Sequence, residues 1–397
     1  MSTQVVVLGS GYAGAGAVKR LETELGYDAE LTWVAENDYH LVLHEVHRCI
    51  RDPSVESSIA IPIDDVKSSS TNFVKGRATN VNVDERVVEL EGGDTVDYDY
   101  LLVAIGSSTA FFGIDGLEEF AHQLKGLDDA REIHQDIKQA ATDASRDEPA
   151  QVVIGGAGLS GIQSAAEVAE YRDLNRAPID IKLVEGMDEI FPGNDPELQG
   201  ALRRRLEDLD IDILTGEFIS KVDEETVYVG GGEDEDPEEV AYDVLVWTGG
   251  ITGQPEAQEL ELEQDERSHR FFAEDDFQTS DERVFAVGDC ALVEQGPDNV
   301  APPTAQAAWD AADVAGGNVA RAIEGRPLER WSFTDKGTVI SIGEDAVAHG
   351  VKFPVVGEFP INVFGGPLAK ALKKGIAANW IADVTGVSRA YNAWSDL

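Results

Sequence analysis

The chain is short of cysteine, of positive charge and of any long apolar run. Only two of its 397 residues are cysteine, Cys49 and Cys290, so no disulfide framework can form and no C-x-x-C redox pair exists. A reducing compartment fits. Lysine and arginine total 31 against 76 acids, a formal net charge of −45, which repels a phosphate backbone and excludes nucleic acid as a partner. The acids are scattered, with one dense stretch from Glu233 to Glu239, and read as a solvated surface suited to high salt, where screening shortens self-repulsion. No apolar run approaches the roughly 18 residues of a membrane span, and residues 1–4 leave no room for a leader.

With 42% hydrophobic residues over this length, the chain predicts two or three domains with full cores. The rest is arranged around residues 5–22. Val5–Leu8 form a short buried strand, Gly9, Gly11 and Gly14 supply a G-x-G-x-x-G turn, and Ala13–Leu25 continue as a helix whose free N–H groups face a pyrophosphate. Glu30–Val34 reads as the next strand, and Glu36, 22 residues past Gly14, stands where an acid meets a ribose hydroxyl. Residues 52–72 read as a polar, Ser-rich loop with weak strand signals, 73–96 as a β-meander turning at Gly92-Gly93, and 98–106 as a buried strand.

The pattern then repeats. Val152–Ile154 run into Gly156, Gly158 and Gly161, a helix opens, and Glu185 follows the strand Ile179–Val184, 24 residues past Gly161. One such turn is weak evidence, but two with matching acids point to two dinucleotides on one chain: FAD at the first cradle and a nicotinamide at the second. A carboxylate at Glu185 accepts from a free 2′-hydroxyl and repels a 2′-phosphate, which favours NADH over NADPH. Val240–Trp247 predicts one strand ending in Thr248-Gly249-Gly250, an echo of Ala104-Ile105-Gly106-Ser107. Val284–Val287 is a short buried strand before Gly288-Asp289, where a carboxylate can meet a ribityl hydroxyl. Pro302–Ile323 forms a helix that opens on Pro-Pro-Thr-Ala-Gln and turns its N-terminal dipole to the flavin's pyrimidine edge.

Taken together, the two cradles, Gly106-Ser107, Thr248-Gly249, Val-Gly-Asp-Cys at 287–290 and Thr-Ala-Gln at 304–306 resemble the two-dinucleotide flavoprotein reductases. Asn-Asp-Tyr-His at 37–40, Leu-His-Glu-Val at 43–46, Phe112-Gly113-Ile114, Val184-Glu185, Trp247-Thr248 and Asp335-Lys336-Gly337 resemble the type II NADH:quinone oxidoreductases among them. The resemblance implies an α/β fold of two Rossmann-like, glutathione-reductase-like domains plus a C-terminal α/β region. The FAD domain would be discontinuous, 1–115 and 255–330, with an NADH domain at 116–254 and a terminal region at 331–397. It also implies hydride passing from NADH to FAD and two electrons to a quinone without proton pumping.

By the same resemblance Gly9, Gly11, Gly14, Glu36, Gly106, Asp289 and Ala305 would serve FAD, and Gly156, Gly158, Gly161, Glu185 and Gly249 NADH. Gln306 would lie beside the quinone edge of the flavin. Gln163 stands where related enzymes often carry a glutamate proposed to move protons, and it cannot titrate. The family's ribose acid aligns with Ala35 rather than Glu36, and Asp310 replaces a family glutamine. His40, His44 and His47 read as structural or solvent-facing, with His44 the one proton-donor candidate; no metal is required. Two other activities remain open, a sulfide:quinone reductase and a soluble NADH-dependent flavin reductase, as does a redox-sensing module with little turnover.

From Phe364 the composition changes. Lys370, Lys373, Lys374 and Arg389 face only Asp383 and Asp396, and Leu368, Leu372, Ile376, Trp380 and Val384 recur every four residues. That pattern fits an amphipathic helix on the cytoplasmic face of the cell membrane, anchored by Trp380 or Trp394. A terminal helix docked on the protein, or on a second copy in a homodimer, is the alternative.

Overall fold

The computed structural model describes residues 2–231, 236–255, 260, 262–297, 299–353, 357–358 and 362–397; the start of the acid-dense stretch at Glu233 lies outside them. Two parallel sheets form the frame. The first has the order Val284–Ala286, Tyr100–Val103, Thr3–Leu8, Ala29–Ala35, Asn72–Lys75, every pair parallel. The second has the order Ile211–Thr215, Ile179–Glu185, Ala150–Gly155, Val244–Trp247, again all parallel. Parallel strands need helical crossovers that cover both faces, so their central segments read as unbroken apolar runs, Val5–Leu8 and Val152–Ile154, and are buried. Two antiparallel segments, Ser107–Thr109 and Ile251–Gly253, join the two halves. The two strand-end echoes of the sequence therefore meet in space.

Helices Tyr12–Glu24 and Leu159–Asn175 open directly on Gly11 and Gly158. Helix Ala305–Ile323 crosses Tyr12–Glu24 at close range: a Cβ on Gly316 would stand 2.8 Å from the Ala17 carbonyl oxygen, and one on Gly16 2.6 Å from Ala312 Cβ. Small residues set that separation. Val284–Ala286 and this helix both come from far down the chain and complete the first sheet's layers.

Three expectations need correction. Residues 52–72 are not a loop: Asp52 caps Pro53–Val55, a short helix Glu56–Ile59 follows, Ala60–Pro62 pairs with Tyr39–Leu41, and Ile63–Val66 is helical. Val55, Ile59, Ile61, Ile63 and Val66 supply the buried anchors under the polar surface. The meander is Ala78–Asn82, Val87–Leu90 and Thr95–Asp97, while Phe73 belongs to the parallel sheet. The strand expected over 240–247 is two: Glu238–Ala241 pairs with Thr226–Val229 in a second meander, and Val244–Trp247 enters the parallel sheet. The break falls where Asp243 turns aside to accept from Gln151 N–H at 2.7 Å.

The terminal region is a three-stranded sheet, Thr338–Ile342, Asp345–His349 and Val363–Gly365, with helices Pro367–Thr385 and Val387–Ala393. Its apolar stripe does not all face outward, contrary to the anchor expectation. Trp380 and Val384 are buried; Trp380 lies 4.8 Å from both the Tyr12 and Trp309 rings, and its indole N–H donates to His40 Nε2 at 2.7 Å. The lysines are tied to the protein as well: Lys373 turns inward, its Nζ 3.3 Å from the buried Glu45, while Lys370 pairs with Glu344 and Lys374 donates to the Trp394 carbonyl nearer the surface. Leu368, Ile376, Val387, Tyr391 and Trp394 stay exposed. Replacing Trp380→Ala removes a large side chain from this packed junction and is expected to cost about 3–5 kcal/mol of stability, read by denaturant unfolding in molar salt; a loss under about 1 kcal/mol would contradict the docking described.

Candidate functional site

In both cradles the three glycines divide the work the same way. A Cβ on Gly9 or Gly14 would overlap the carbonyl oxygen of Ala104 or Gly9, and one on Gly161 the oxygen of Gly156. A Cβ on Gly156 would come 2.6 Å from Gly249 Cα. These positions are forced by packing. Among the described residues, Gly11 and Gly158, which cap the two helices, have nothing within 4 Å of that Cβ position, and no side chain caps either helix. Open space in front of an uncapped, undimmed helix N-terminus is what a diphosphate requires. Side chains also hold each turn from behind: Trp33 Nε1 donates to Gly9 O at 2.8 Å, and Thr248 Oγ1 to Gly156 O at 2.8 Å.

The two strand-end acids differ. Glu185 is buried, its carboxylate accepting from Ala157 N–H at 2.8 Å and Met187 N–H at 3.0 Å. Glu36 points outward, its side chain 61% exposed and 3.7 Å from Arg77. Gly106 has a left-handed backbone (φ +70°) and open space before it, whereas a Cβ on Gly249 would strike the Trp247 ring. Ala305 begins its helix behind Thr304, whose hydroxyl accepts from Ala307 N–H.

Asp289 follows the strand Val284–Ala286 and is joined by two cations that the sequence did not flag. Lys125 arrives on the segment leading into helix Leu127–Asp143 and donates to Ser107 Oγ at 3.0 Å. Arg270 donates to the Asp289 and Ala291 carbonyls. Burial raises the Asp289 carboxyl, and Lys125 and Arg270 pull it back; burial likewise lowers Lys125, which Asp289 opposes. No motif surrounds Lys125, and only the crossover brings it to Asp289.

The remaining expected residues lie at the seam with the terminal region. Gln306 is tied to that region's backbone, donating to Gly337 O at 3.1 Å and accepting from Lys336 N–H at 3.0 Å. Gln163 is buried and donates to Ser341 Oγ at 2.7 Å, with His47 Nε2 at 3.3 Å. None of the three histidines faces solvent. His40 donates from Nδ1 to Ser10 O and accepts from Trp380, which fixes its neutral tautomer, and burial lowers it to about 4. His44 pairs with the Tyr12 hydroxyl, and His47 bonds Ser341; burial holds both well below the ordinary histidine value. Both cysteines are free and buried, with Cys49 pushed up to about 12 and Cys290 to about 11 by desolvation.

One turn along the helix from Gln163, Glu167 is fully buried with Arg51 Nε at 3.1 Å.

Two glycine cradles on two parallel sheets, joined by short crossing segments, define a two-dinucleotide oxidoreductase fold. The sequence profile of the pyridine nucleotide-disulphide oxidoreductases matches residues 3–312, and the chain belongs to that family. It is similar to a type II NADH:quinone oxidoreductase of Staphylococcus saprophyticus, with 26% identity covering 86% of this chain and 87% of the relative. A Staphylococcus aureus protein of the same name is 27% identical, covering 98% and 97%. Among solved structures, NDH2 from Plasmodium falciparum in complex with NADH superposes with a TM-score of 0.82 at 16% identity, covering 100% of this chain and 98% of that one. The sulfide:quinone oxidoreductase of Aquifex aeolicus gives 0.79 at 16%, covering 98% and 94%. The expected fold class is thus the observed one.

Two outcomes follow from this geometry. Gly11→Val and Gly158→Val should leave the unfolding midpoint of the ligand-free protein within a few degrees while abolishing flavin retention and nicotinamide binding respectively; Gly14→Val and Gly161→Val should prevent folding. Thermal melts and bound-flavin absorbance distinguish the two classes. Burial also raises Glu167 from 4.5 to about 7, so the folded protein holds a proton that the unfolded chain releases. Stability from this group therefore falls as pH rises from about 4.5 to about 7 and is level above. Urea unfolding of the native chain and Glu167→Gln should diverge across that window in favour of the variant; a pH-independent difference would refute the assignment.

Proposed function

We propose that this chain is an FAD-dependent NADH:quinone oxidoreductase of the type II kind, without proton pumping. The observation that carries the reading is the pair of open cradles, each glycine turn offering a bare helix N-terminus, with the buried Glu185 carboxylate at the second. Similarity to proteins named for that activity over nearly the full length supports it. When bound, FAD accepts a hydride from the nicotinamide and returns two electrons to a quinone. The chain's part is alignment and charge. The turn glycines admit the diphosphates, Glu185 orients a ribose, and Asp289 with Lys125 and Arg270 gives the first cradle one carboxylate beside two cations. Gln306 and Gln163 place amides at the seam where the acceptor would arrive.

The domain division that fits is 1–115 and 255–330 for FAD, 116–254 for NADH and 331–397 as the terminal region, because Val284–Ala286 extends the sheet begun by Thr3–Leu8. A sulfide-oxidising reading is weaker, since buried thiols pushed up to about 11 and 12 make poor nucleophiles. No described helix is long and apolar enough to cross a membrane. Peripheral attachment at the cytoplasmic face would then use Val387, Tyr391 and Trp394, exposed at i, i+4 and i+7, rather than the lysines. A homodimer over the same patch is the competing arrangement.

Protein purified in molar salt should be yellow, bleach anaerobically with one equivalent of NADH, recover its colour with a short-chain quinone and ignore sulfide. The triple variant Val387→Ser, Tyr391→Ser, Trp394→Ser should lose sedimentation with lipid vesicles while keeping NADH:ferricyanide turnover; loss of a dimer instead would assign the patch to a second copy. A colourless protein that takes up no flavin would overturn the reading.

A further inference from the structure

Across the second sheet the strand order is Ile211–Thr215, Ile179–Glu185, Ala150–Gly155, Val244–Trp247, which gives a bound dinucleotide a direction. Of the segments joining the two halves, Ile251–Gly253 leaves from the Trp247 edge, and Ser107–Thr109, which pairs with it, leaves from Tyr100–Val103 of the first sheet. A nicotinamide that must reach the other cradle lies at that edge, its diphosphate over the Gly156–Gly161 turn of the central strand. The far half of the nucleotide, the adenosine, then falls beyond Glu185 toward Thr215, outside the carboxyl ends of those strands.

At that far edge two large apolar side chains, Met187 and Phe218, stand exposed between the exposed acids Asp188 and Glu217. Glu185 stands opposite Thr215 in register, and Gly216 N–H donates to Glu185 O at 3.0 Å and Met187 O at 2.9 Å, clamping the two strand-end turns together. Met187 is 51% exposed and Phe218 66%. The Phe218 ring is not loose, for it lies against Gly186, where a Cβ would meet the ring atoms Cδ1, Cε1 and Cγ. The bare main chain of Gly186 supports one side of the ring, and most of the rest faces solvent beside the Glu185 carboxylate. What sets Phe218 apart from the other exposed apolar side chains is this support: one side of the ring rests on the main chain and the other is left open.

We propose that Phe218, flanked by Met187, is the platform on which the adenine of NADH stacks, a positioning residue that sets nucleotide affinity without entering the chemistry. The assignment rests on the NADH reading above. It also resolves an electrostatic difficulty: a chain at −45 repels the dinucleotide's phosphates, whereas stacking of a neutral base does not depend on charge and is not screened by salt. Base stacking on an aromatic side chain is worth about 5- to 100-fold in affinity.

The test compares Phe218→Ala and Phe218→Tyr with the native flavoprotein, using NADH and reduced nicotinamide mononucleotide, which keeps the reacting ring and lacks the adenosine. Phe218→Ala should raise the KM for NADH about 5- to 100-fold at unchanged kcat, leave the mononucleotide's KM where it was, and bind ADP-ribose correspondingly more weakly by calorimetry; Phe218→Tyr should keep all three near their native values. Equal effects on both substrates, or no change in ADP-ribose affinity, would overturn the platform. A native protein that binds neither ADP-ribose nor NADH would instead overturn the underlying reading, and the platform with it.

Discussion

The structure depends on how closely main chain can approach main chain at two turns. At Gly9, Gly14, Gly156 and Gly161 a helix start, a strand end and a neighbouring loop occupy the volume any side chain would need. That contact fixes the helix axis over its strand, so the uncapped N–H groups of Tyr12–Glu24 and Leu159–Asn175 point at the same kind of empty space before Gly11 and Gly158. Trp33 and Thr248 then lock the turn carbonyls. Two unrelated side chains reach the same end, an arrangement expected if the turn's shape, rather than either residue, is what must persist.

The second constraint is a polar seam. Gln163, His47 and Ser341 come from the second cradle's helix, the segment after the first cradle and the terminal sheet, and each finds its partner in another part. Buried polar groups that satisfy one another only in a single alignment fix that alignment, because any slip leaves donors and acceptors stranded away from water. Trp380 reinforces it, bridging His40, Tyr12 and Trp309. The terminal helix is thus part of the first cradle's rear wall.

Legibility followed sequence distance. The glycine turns, the strands they follow and the acids after the second strands are written within about thirty residues, and their geometry is a local steric matter that the residue types disclose. The split of 240–247 was also readable in principle, since the polar Asp243 interrupts the apolar run just before Val244–Trp247. What stayed hidden was pairing over long separations. Lys125 meets Asp289 across the crossover, and Ser341 meets Gln163 from 178 residues away. The terminal lysines looked free because helical periodicity assigns faces to a helix; it does not reveal that Glu45 and Glu344, from two other elements, stand ready to pair with Lys373 and Lys370. The acid Glu36 matched its expected spacing, yet lies well exposed beside Arg77, because the strand delivers its last buried side chain at Ala35.

The inward turn of the cations has a further consequence for how this molecule meets its solvent. Lys125, Arg48, Arg51, Arg270 and Lys373 all sit in the interior or at seams, where the buried acids Glu45, Glu167 and Asp289 meet them, so the interior nearly cancels and the outer shell carries the net charge of −45. Hydrated counter-ions, rather than side chains, complete its charge balance. Ionic strength thereby becomes a structural component of the fold, and dilution would act on this protein much as removal of a bound ligand acts on another.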